Sequence, residues 1–310
     1  MCVGWERALP PHTHNSHCEP STKRFVFRGK TGTIGLFLLP FGEKPLDPIS
    51  ESIPLSSKLW LYTNFDCNLT CSYCVTESTP TALRRALSLA HVQRLVDEAI
   101  ALGFSDVFLT GGEPFLLDQI YDIVDYASTR MNTTVLTNGV LLRGDRLARL
   151  QTIANDNLRI QVSLDGGRAE HHDPYRGAGT WAQAVKGIER LQAQGIQVCI
   201  STTETPANSA HLDELHTFRR SLGIADEDHF VRPLAKRGFS QQGIEVSPDT
   251  LLPEVTVTRE GVYWHPLISP TATDMRVSEQ IFPLAQAVEQ IRQRLASQDS
   301  DSEGDRTEFT

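Results

Sequence analysis

Three of the chain's six cysteines lie close together in the segment LYTNFDCNLTCSYCVTEST, residues 61–79. They are Cys67, Cys71 and Cys74, with the spacing C-x3-C-x2-C. On a continuous helix their thiols would form a row about 10 Å long, whereas the corners of a cubane cluster require a wrapped loop. Thiolates are the usual ligands of a four-iron cluster, and three of them leave one iron without a protein ligand. An open coordination position is typical of reactive metal centres, so the spacing favours a reactive iron–sulfur site.

Two other arrangements of these thiols stay open. A zinc ion could take a fourth ligand from His91, from Cys199 or from a histidine of residues 1–24. A disulfide with a spare thiol is the second alternative. The chain starts without the apolar core of a secretion signal, so we expect a cytoplasmic location, where disulfides are rare.

The cysteines follow the first of six apolar segments that predict strands, and amphipathic helical segments separate these strands. Such alternation predicts βαβ units and a parallel sheet, and right-handed crossovers curl the sheet toward a barrel. We therefore expect an α/β protein whose core, residues 58–234, is a partial (β/α)6 TIM-like barrel. Functional residues should lie at the carboxyl ends of its strands.

The other segments are predicted to surround this barrel. Residues 1–24 look like an irregular leader, although their histidines and cysteines could bind metal. Residues 25–57 form an N-terminal extension. Residues 235–296 predict a C-terminal cap, made of the hairpin VTVTREGVYWHP and a helix from about Ser278 to Ala296. The acidic residues 297–310 predict a disordered tail.

Further polar and glycine residues lie at the ends of predicted strands. The motif GGEP, residues 111–114, follows the second strand, and Asn138 ends the third. Ser163 and Asp165 lie two apart on the same face of the fourth strand, and Arg176 follows in the run HHDPYRGAGTW. The GGEP motif lacks the lysine and the serine or threonine of a phosphate-binding P-loop, so that interpretation fails.

With these motifs in this order, the sequence resembles the radical S-adenosylmethionine (SAM) enzymes. The C-x3-C-x2-C loop has an aromatic residue, Tyr73, before its last cysteine, and the GGEP motif ends the second strand. The run VSLDG followed by HHDPYRGAGTW is similar to the subgroup that contains the molybdenum-cofactor cyclase and SPASM-type peptide-maturing enzymes. The resemblance covers about residues 58–234.

The resemblance implies a [4Fe-4S] cluster bound by the three loop cysteines, with SAM chelating the remaining iron. One electron into the cluster cleaves SAM and yields a 5′-deoxyadenosyl radical that abstracts hydrogen from a substrate. We therefore expect an oxidoreductase-like enzyme that acts on a small molecule or a peptide. Its partner would be a one-electron donor such as flavodoxin or ferredoxin.

The resemblance also implies which residues contact SAM. Gly111 and Gly112 would let the backbone approach the methionine moiety, and Glu113 would accept from its ammonium group. Arg176 suits the SAM carboxylate, because a guanidinium matches that group bidentately. The remaining predicted contacts are Tyr73 near the adenine, Pro114 in the turn, Asn138, and Ser163 at the ribose. Structural alternatives are a helix start at Glu113, a Thr-Asn-Gly turn at Asn138 and loop packing for Tyr73. No residue of this set is assigned as catalytic.

The C-terminal part departs from that subgroup. Related enzymes often carry a cysteine for an auxiliary cluster after the hairpin, and here His265 lies near that position. No cysteine follows Cys199, so we predict a single cluster. His265 is then either a substrate or metal contact, or it packs with Trp264 against the barrel.

Composition narrows the remaining function classes. No run of about eighteen apolar residues is present, so no membrane span is predicted. The formal net charge of −9 argues against nucleic acid as a partner, and therefore against an RNA-modifying radical enzyme. The other competing function is a non-catalytic iron–sulfur or zinc-binding regulatory protein. The presence of Glu113, Ser163 and Arg176 argues against it.

Overall fold

The computed structural model describes residues 55–247, 251–270 and 273–296. The predicted leader, most of the N-terminal extension and the predicted tail lie outside these described residues. None of the helices in the described ranges combines the length and the apolarity that crossing a membrane requires.

The described strands form a single mixed sheet in the order β6-β5-β4-β3-β2-β1-β7-β8-β9. Neighbouring strands from β6 to β7 are parallel, whereas β7, β8 and β9 pair antiparallel. The strands are β1 Lys58–Tyr62, β2 Asp106–Thr110, β3 Asn132–Thr137, β4 Leu158–Ser163, β5 Gln197–Glu204, β6 His229–Pro233, β7 Thr256–Thr258, β8 Gly261–Tyr263 and β9 Arg276–Ser278.

The first six helices lie between consecutive parallel strands, and the seventh follows β9. They are α1 Leu89–Ala101, α2 Ile120–Ser128, α3 Asp145–Thr152, α4 Ala169–Arg176, α5 Thr180–Ala193, α6 Leu212–Ser221 and α7 Leu284–Ala296. Helix α1 illustrates why these segments are helical. Ser88 caps its first turn by accepting from the His91 N–H, and the apolar stripe that includes Val92 and Leu95 is fully buried.

The expected partial (β/α)6 barrel is confirmed. β1 to β6 follow one another in the sheet, and the described part of the sheet is not closed, since β6 is an edge strand. The strands are mostly buried, as expected where helices cover a parallel sheet. The predicted hairpin is also present as β7 and β8, and β7 extends the sheet by pairing with β1.

Two elements differ from the sequence-based expectation. Residues 169–176 form helix α4, which the sequence does not predict because the segment is polar and contains Pro174. The C-terminal helix begins at Leu284 rather than Ser278. Pro283 precedes it and disfavours helical geometry at Phe282, and residues 276–278 pair with β8 instead.

Candidate active site

A cavity opens at the carboxyl ends of the parallel strands. It encloses about 1140 Å³ of atom-free space when the open mouth is included. Of the predicted site residues, all except Glu113 and Pro114 line it, namely Cys67, Cys71, Tyr73, Cys74, Gly111, Gly112, Asn138, Ser163 and Arg176. The fold therefore brings together motifs that are more than a hundred residues apart in the sequence.

The cysteine loop is irregular and is fixed by backbone hydrogen bonds. The Cys67 N–H donates to the Thr79 carbonyl at 3.1 Å, and the Ser72 N–H donates to the Tyr175 carbonyl at 2.9 Å. Two thiols accept from the backbone as well: Cys67 Sγ from the Leu69 N–H and Cys74 Sγ from the Ser78 N–H, each at 3.4 Å. Hydrogen bonds of this kind stabilise thiolates and tune the potential of a bound cluster.

The donor set of this loop fits an iron–sulfur cluster better than a single ion. The described cysteines are all free, so no disulfide competes for these thiols. Their Sγ atoms do not form a set within 4.8 Å in the described residues, whereas ligands about 2.3 Å from one zinc ion lie closer together. Burial raises the pKa of Cys67 to about 12 and that of Cys71 to about 11. A bound cationic centre would favour the thiolate form at these positions.

Gly111 and Gly112 allow the end of β2 to pack against the chain that enters the cysteine loop. A Cβ on Gly112 would lie 2.1 Å from the Asp66 carbonyl oxygen, and a Cβ on Gly111 2.3 Å from that of Asn64. The Gly112 N–H donates to Asn64 O at 2.9 Å, and the Glu113 N–H donates to Asp66 O at 3.0 Å. These close approaches account for the two glycines without a ligand, so their predicted contact with SAM stays a prediction.

Glu113 lies behind the cavity wall and is fully buried. Its Oε1 accepts from the Thr137 hydroxyl at 2.8 Å and from the Phe115 N–H at 3.2 Å, and its Oε2 accepts from the Asn138 N–H at 2.9 Å. The side chain thus caps the short 3-10 turn Pro114–Leu116, which is the predicted structural alternative. Burial raises its pKa to about 7. A contact with the SAM ammonium group stays a prediction.

Asn138 links the end of β3 to the cysteine loop. Its Nδ2 donates to Asn68 Oδ1 at 2.8 Å and lies 3.8 Å from Cys67 Sγ, while its Oδ1 accepts from the Val140 N–H at 3.0 Å. The residue therefore forms the expected turn and also faces the cysteines.

Asp165 connects the cysteine loop, α4 and β5 through one buried carboxylate. Its Oδ2 accepts from the Tyr73 hydroxyl and from Arg176 Nε, both at 2.6 Å. Its Oδ1 accepts from the Thr203 N–H at 2.9 Å. Although burial opposes ionisation, the adjacent Arg176 holds the pKa of Asp165 below its usual range. The sequence places Asp165 on the same face as Ser163, but it does not predict this role.

Arg232 is a second residue that the sequence analysis misses. It lies in β6 and lines the cavity, where burial lowers its pKa to about 10, so it stays cationic at neutral pH. Its guanidinium carbon is 5.9 Å from the centre of the Trp60 ring, and the Trp60 indole N–H donates to the buried Glu254. The sequence feature that could have identified Arg232 is its position near the end of a barrel strand, where functional residues are expected.

His265 is fully buried and is not among the residues that line the cavity. Its Nδ1 accepts from the Leu267 N–H at 3.2 Å, its ring lies 5.3 Å from that of Trp264, and burial lowers its pKa to about 3. This environment favours the packing alternative over a substrate or metal contact.

Comparison with known proteins agrees with this geometry. A family model described as the Radical SAM superfamily matches residues 61–215. Mycofactocin maturase MftC of Mycobacterium ulcerans is 36% identical over 171 residues, which cover 54% of this chain and 46% of MftC. The AdoMet-dependent heme synthase of Oleidesulfovibrio alaskensis is 30% identical over 161 residues, which cover 51% of this chain and 41% of that protein.

The fold is also similar to that of a solved structure described as native anSMEcpe with bound AdoMet. The TM-score is 0.60 at 14% identity, and the match covers 80% of this chain and 84% of that one. The chain spans about half the length of the curated relatives it matches. Because the family model matches half of its residues, the chain belongs to the radical SAM superfamily, whose members are enzymes that use a [4Fe-4S] cluster and SAM.

Proposed function

We propose that this chain cleaves SAM reductively and abstracts hydrogen from a small-molecule or peptide substrate, with electrons from a donor such as flavodoxin or ferredoxin. One observation carries the proposal. Three free thiols, two glycines, Ser163 and Arg176 line the same cavity at the carboxyl ends of the strands. When bound there, the cluster and SAM supply one-electron bond cleavage and radical hydrogen abstraction.

The cysteine loop forms one end of the proposed site. Cys67, Cys71 and Cys74 would hold the cluster, and the loop's backbone contacts fix these thiols before it binds. Cys67 is only 7% exposed, which would limit the access of water and oxygen to that side of the cluster.

Arg176 and Ser163 form the proposed SAM end. The Arg176 guanidinium is oriented by its ion pair with Asp165, so its charge is fixed next to the cysteine loop, 5.3 Å from the Tyr73 ring. A fixed guanidinium suits the carboxylate of SAM, and the Ser163 hydroxyl suits the ribose. In this arrangement Asp165 is a positioning residue that acts through Arg176 and Tyr73.

The substrate would lie on the side of the cavity formed by β5 and β6. Ser201, Thr202 and Arg232 line that side. The similar proteins are named for different products, mycofactocin and heme, so they support the reaction class and leave the substrate as a small molecule or a peptide.

The proposal is tested by anaerobic reconstitution with iron and sulfide, followed by dithionite and SAM. We expect a brown protein with about four irons per chain that releases 5′-deoxyadenosine. The Cys71→Ala variant should lose both properties, whereas Cys199→Ala, which removes a buried thiol outside the loop, should keep them. A brown wild-type protein that releases no 5′-deoxyadenosine contradicts the proposal and favours a non-catalytic cluster protein. A colourless zinc protein contradicts the cluster as well.

A further inference from the structure

A second group of metal-ligand side chains lies outside the cavity. His171, His211 and Glu214 each offer one ligand atom, and these three atoms all lie within 4.8 Å of one another. His171 belongs to α4, His211 ends a short 3-10 turn, and Glu214 lies in the first turn of α6. None of the three lines the cavity that holds the cysteines. The group therefore joins two helices next to the candidate active site.

The backbone after β4 leaves room for this group. A Cβ on Gly166 would lie 2.6 Å from the His171 Cβ, and a Cβ on Gly167 would lie 3.2 Å from the Glu214 carbonyl oxygen and 3.3 Å from its Oε1. A Cβ at Gly166 would therefore collide with His171, and a Cβ at Gly167 would crowd Glu214. The two glycines thus accommodate the close approach of a histidine and a carboxylate from different helices.

His171 also has an unsatisfied nitrogen. Its Nδ1 is buried and has no hydrogen-bond partner among the described residues. A buried imidazole nitrogen without a partner costs free energy, because it has lost its hydrogen bonds to water. A bound ion would provide the missing interaction.

Contacts within the group offer an explanation without metal. The His171 and His211 rings stack with their centres 4.0 Å apart, and Arg168 Nε lies 2.6 Å from Glu214 Oε1. For both rings to direct a lone pair at one ion, one of them must turn. His211 is exposed, so its ring can turn, and the Arg168 side chain is 64% exposed, so it can move into solvent. The stack and the ion pair therefore do not block a metal ion.

We propose that His171, His211 and Glu214 bind a divalent transition-metal ion such as Zn²⁺, with water completing its coordination. Two imidazoles and one carboxylate form a ligand set that zinc uses in proteins. The ion would fix α4 to α6. Since α4 also carries Arg176, the metal would restrain the helix that presents this arginine to the cavity.

The proposal is tested by zinc uptake of the full-length, cluster-loaded protein. Anaerobic equilibrium dialysis against ZnCl₂ measures zinc, iron and sulfide in the same sample, so that zinc replacing cluster iron is detected. We expect His211→Ala and Glu214→Gln each to weaken one zinc site by at least about ten-fold, since each removes a direct ligand. His216→Ala, on the same helix but outside the group, should bind zinc as the wild type does.

The histidines and cysteines of residues 1–24 could also bind zinc. Because they are the same in every variant, they do not affect the comparison of zinc uptake between variants. Thermal unfolding provides a second measurement: zinc should raise the Tm of the wild type and of His216→Ala by more than it raises that of His211→Ala. Equal zinc uptake and equal Tm shifts in all variants would overturn the proposal. Folded variants that keep their iron and sulfide but lose zinc would support it, whether or not SAM cleavage occurs.

Discussion

The cysteine loop is held on two sides by different kinds of contact. Toward β2, backbone groups of Asn64 and Asp66 bond directly to Gly112 and Glu113, and glycines make this approach possible. Toward β4 and α4, the buried carboxylate of Asp165 accepts from Tyr73 and Arg176. The first side depends on shape, and the second depends on charge.

This difference predicts how each side responds to change. A backbone contact does not titrate, but it tolerates no added atom, because the neighbouring backbone cannot move aside. When an isosteric neutral residue replaces one member of a buried charged network, the network keeps its shape, but the substitution leaves the partner's charge unpaired. The effects of substitutions on the two sides should therefore differ in size and in pH dependence.

The largest effect is expected from Gly112→Ala. Its new Cβ would meet the Asp66 carbonyl oxygen at 2.1 Å, so the end of β2 and the cysteine loop must separate. We expect a loss of about 4 kcal/mol or more in the free energy of unfolding, at the upper end of single-substitution effects. Urea unfolding of the apoprotein and iron content after reconstitution measure it.

Gly103→Ala is the matched control, because a Cβ there would have nothing within 4 Å although its φ is +86°. Strain of the left-handed backbone alone should cost about 1–2 kcal/mol. If the two variants lose the same stability, the close approach at Gly112 is not what fixes the loop.

A smaller effect is expected from Asp165→Asn. The amide keeps the shape but leaves the buried Arg176 without its counter-charge, which should cost about 3 kcal/mol of stability. SAM affinity should fall as well, because the guanidinium loses its orientation. Tyr73→Phe removes only one hydrogen bond to the same charged carboxylate, so it should cost about 2 kcal/mol.

Calorimetric titration of the cluster-loaded proteins with SAM, together with urea unfolding, distinguishes these outcomes. Unchanged SAM affinity in a folded, iron-containing Asp165→Asn variant would contradict a positioning role for Asp165.

What the sequence can predict depends on whether a feature is local along the chain. The alternation of strands and helices predicts β1 to β6, and the spacing of Cys67, Cys71 and Cys74 predicts a loop that binds a cluster, because both patterns are local. The partners of Asp165 are not local. Tyr73 is 92 residues away from Asp165 in the sequence and Thr203 is 38 residues away, so only the folded chain shows that they meet.

The sequence does not predict helix α4 or the group of metal ligands, for related reasons. Pro174 and the polar residues around it argue against a helix, yet the buried His172 and Arg176, which bond to Asp165, stabilise one. His211 and Glu214 have helical spacing, but His171 lies 40 positions earlier and joins them only through the fold. Gly112 is an intermediate case, since its motif is evident in the sequence while the reason for the glycine is not.

The last test concerns the pH dependence of the charged side. His172 is 1% exposed, and its Nδ1 accepts from the Asp165 N–H at 3.1 Å, so the ring must be neutral there. Burial lowers its pKa from 6.5 to about 4. Because the unfolded chain binds this proton more readily, stability is complete above about pH 6.5 and is lost as the pH falls toward 4. Between pH 7.5 and pH 5 the loss should be about 2 kcal/mol.

His172→Asn retains an acceptor but cannot titrate, so it is the matched control. Urea unfolding of the wild-type and His172→Asn apoproteins should give curves of stability against pH that converge as the pH falls. Parallel curves would mean that this histidine is not held neutral by the network, and the contrast between the two sides of the loop would then rest on Asp165 and Arg176 alone.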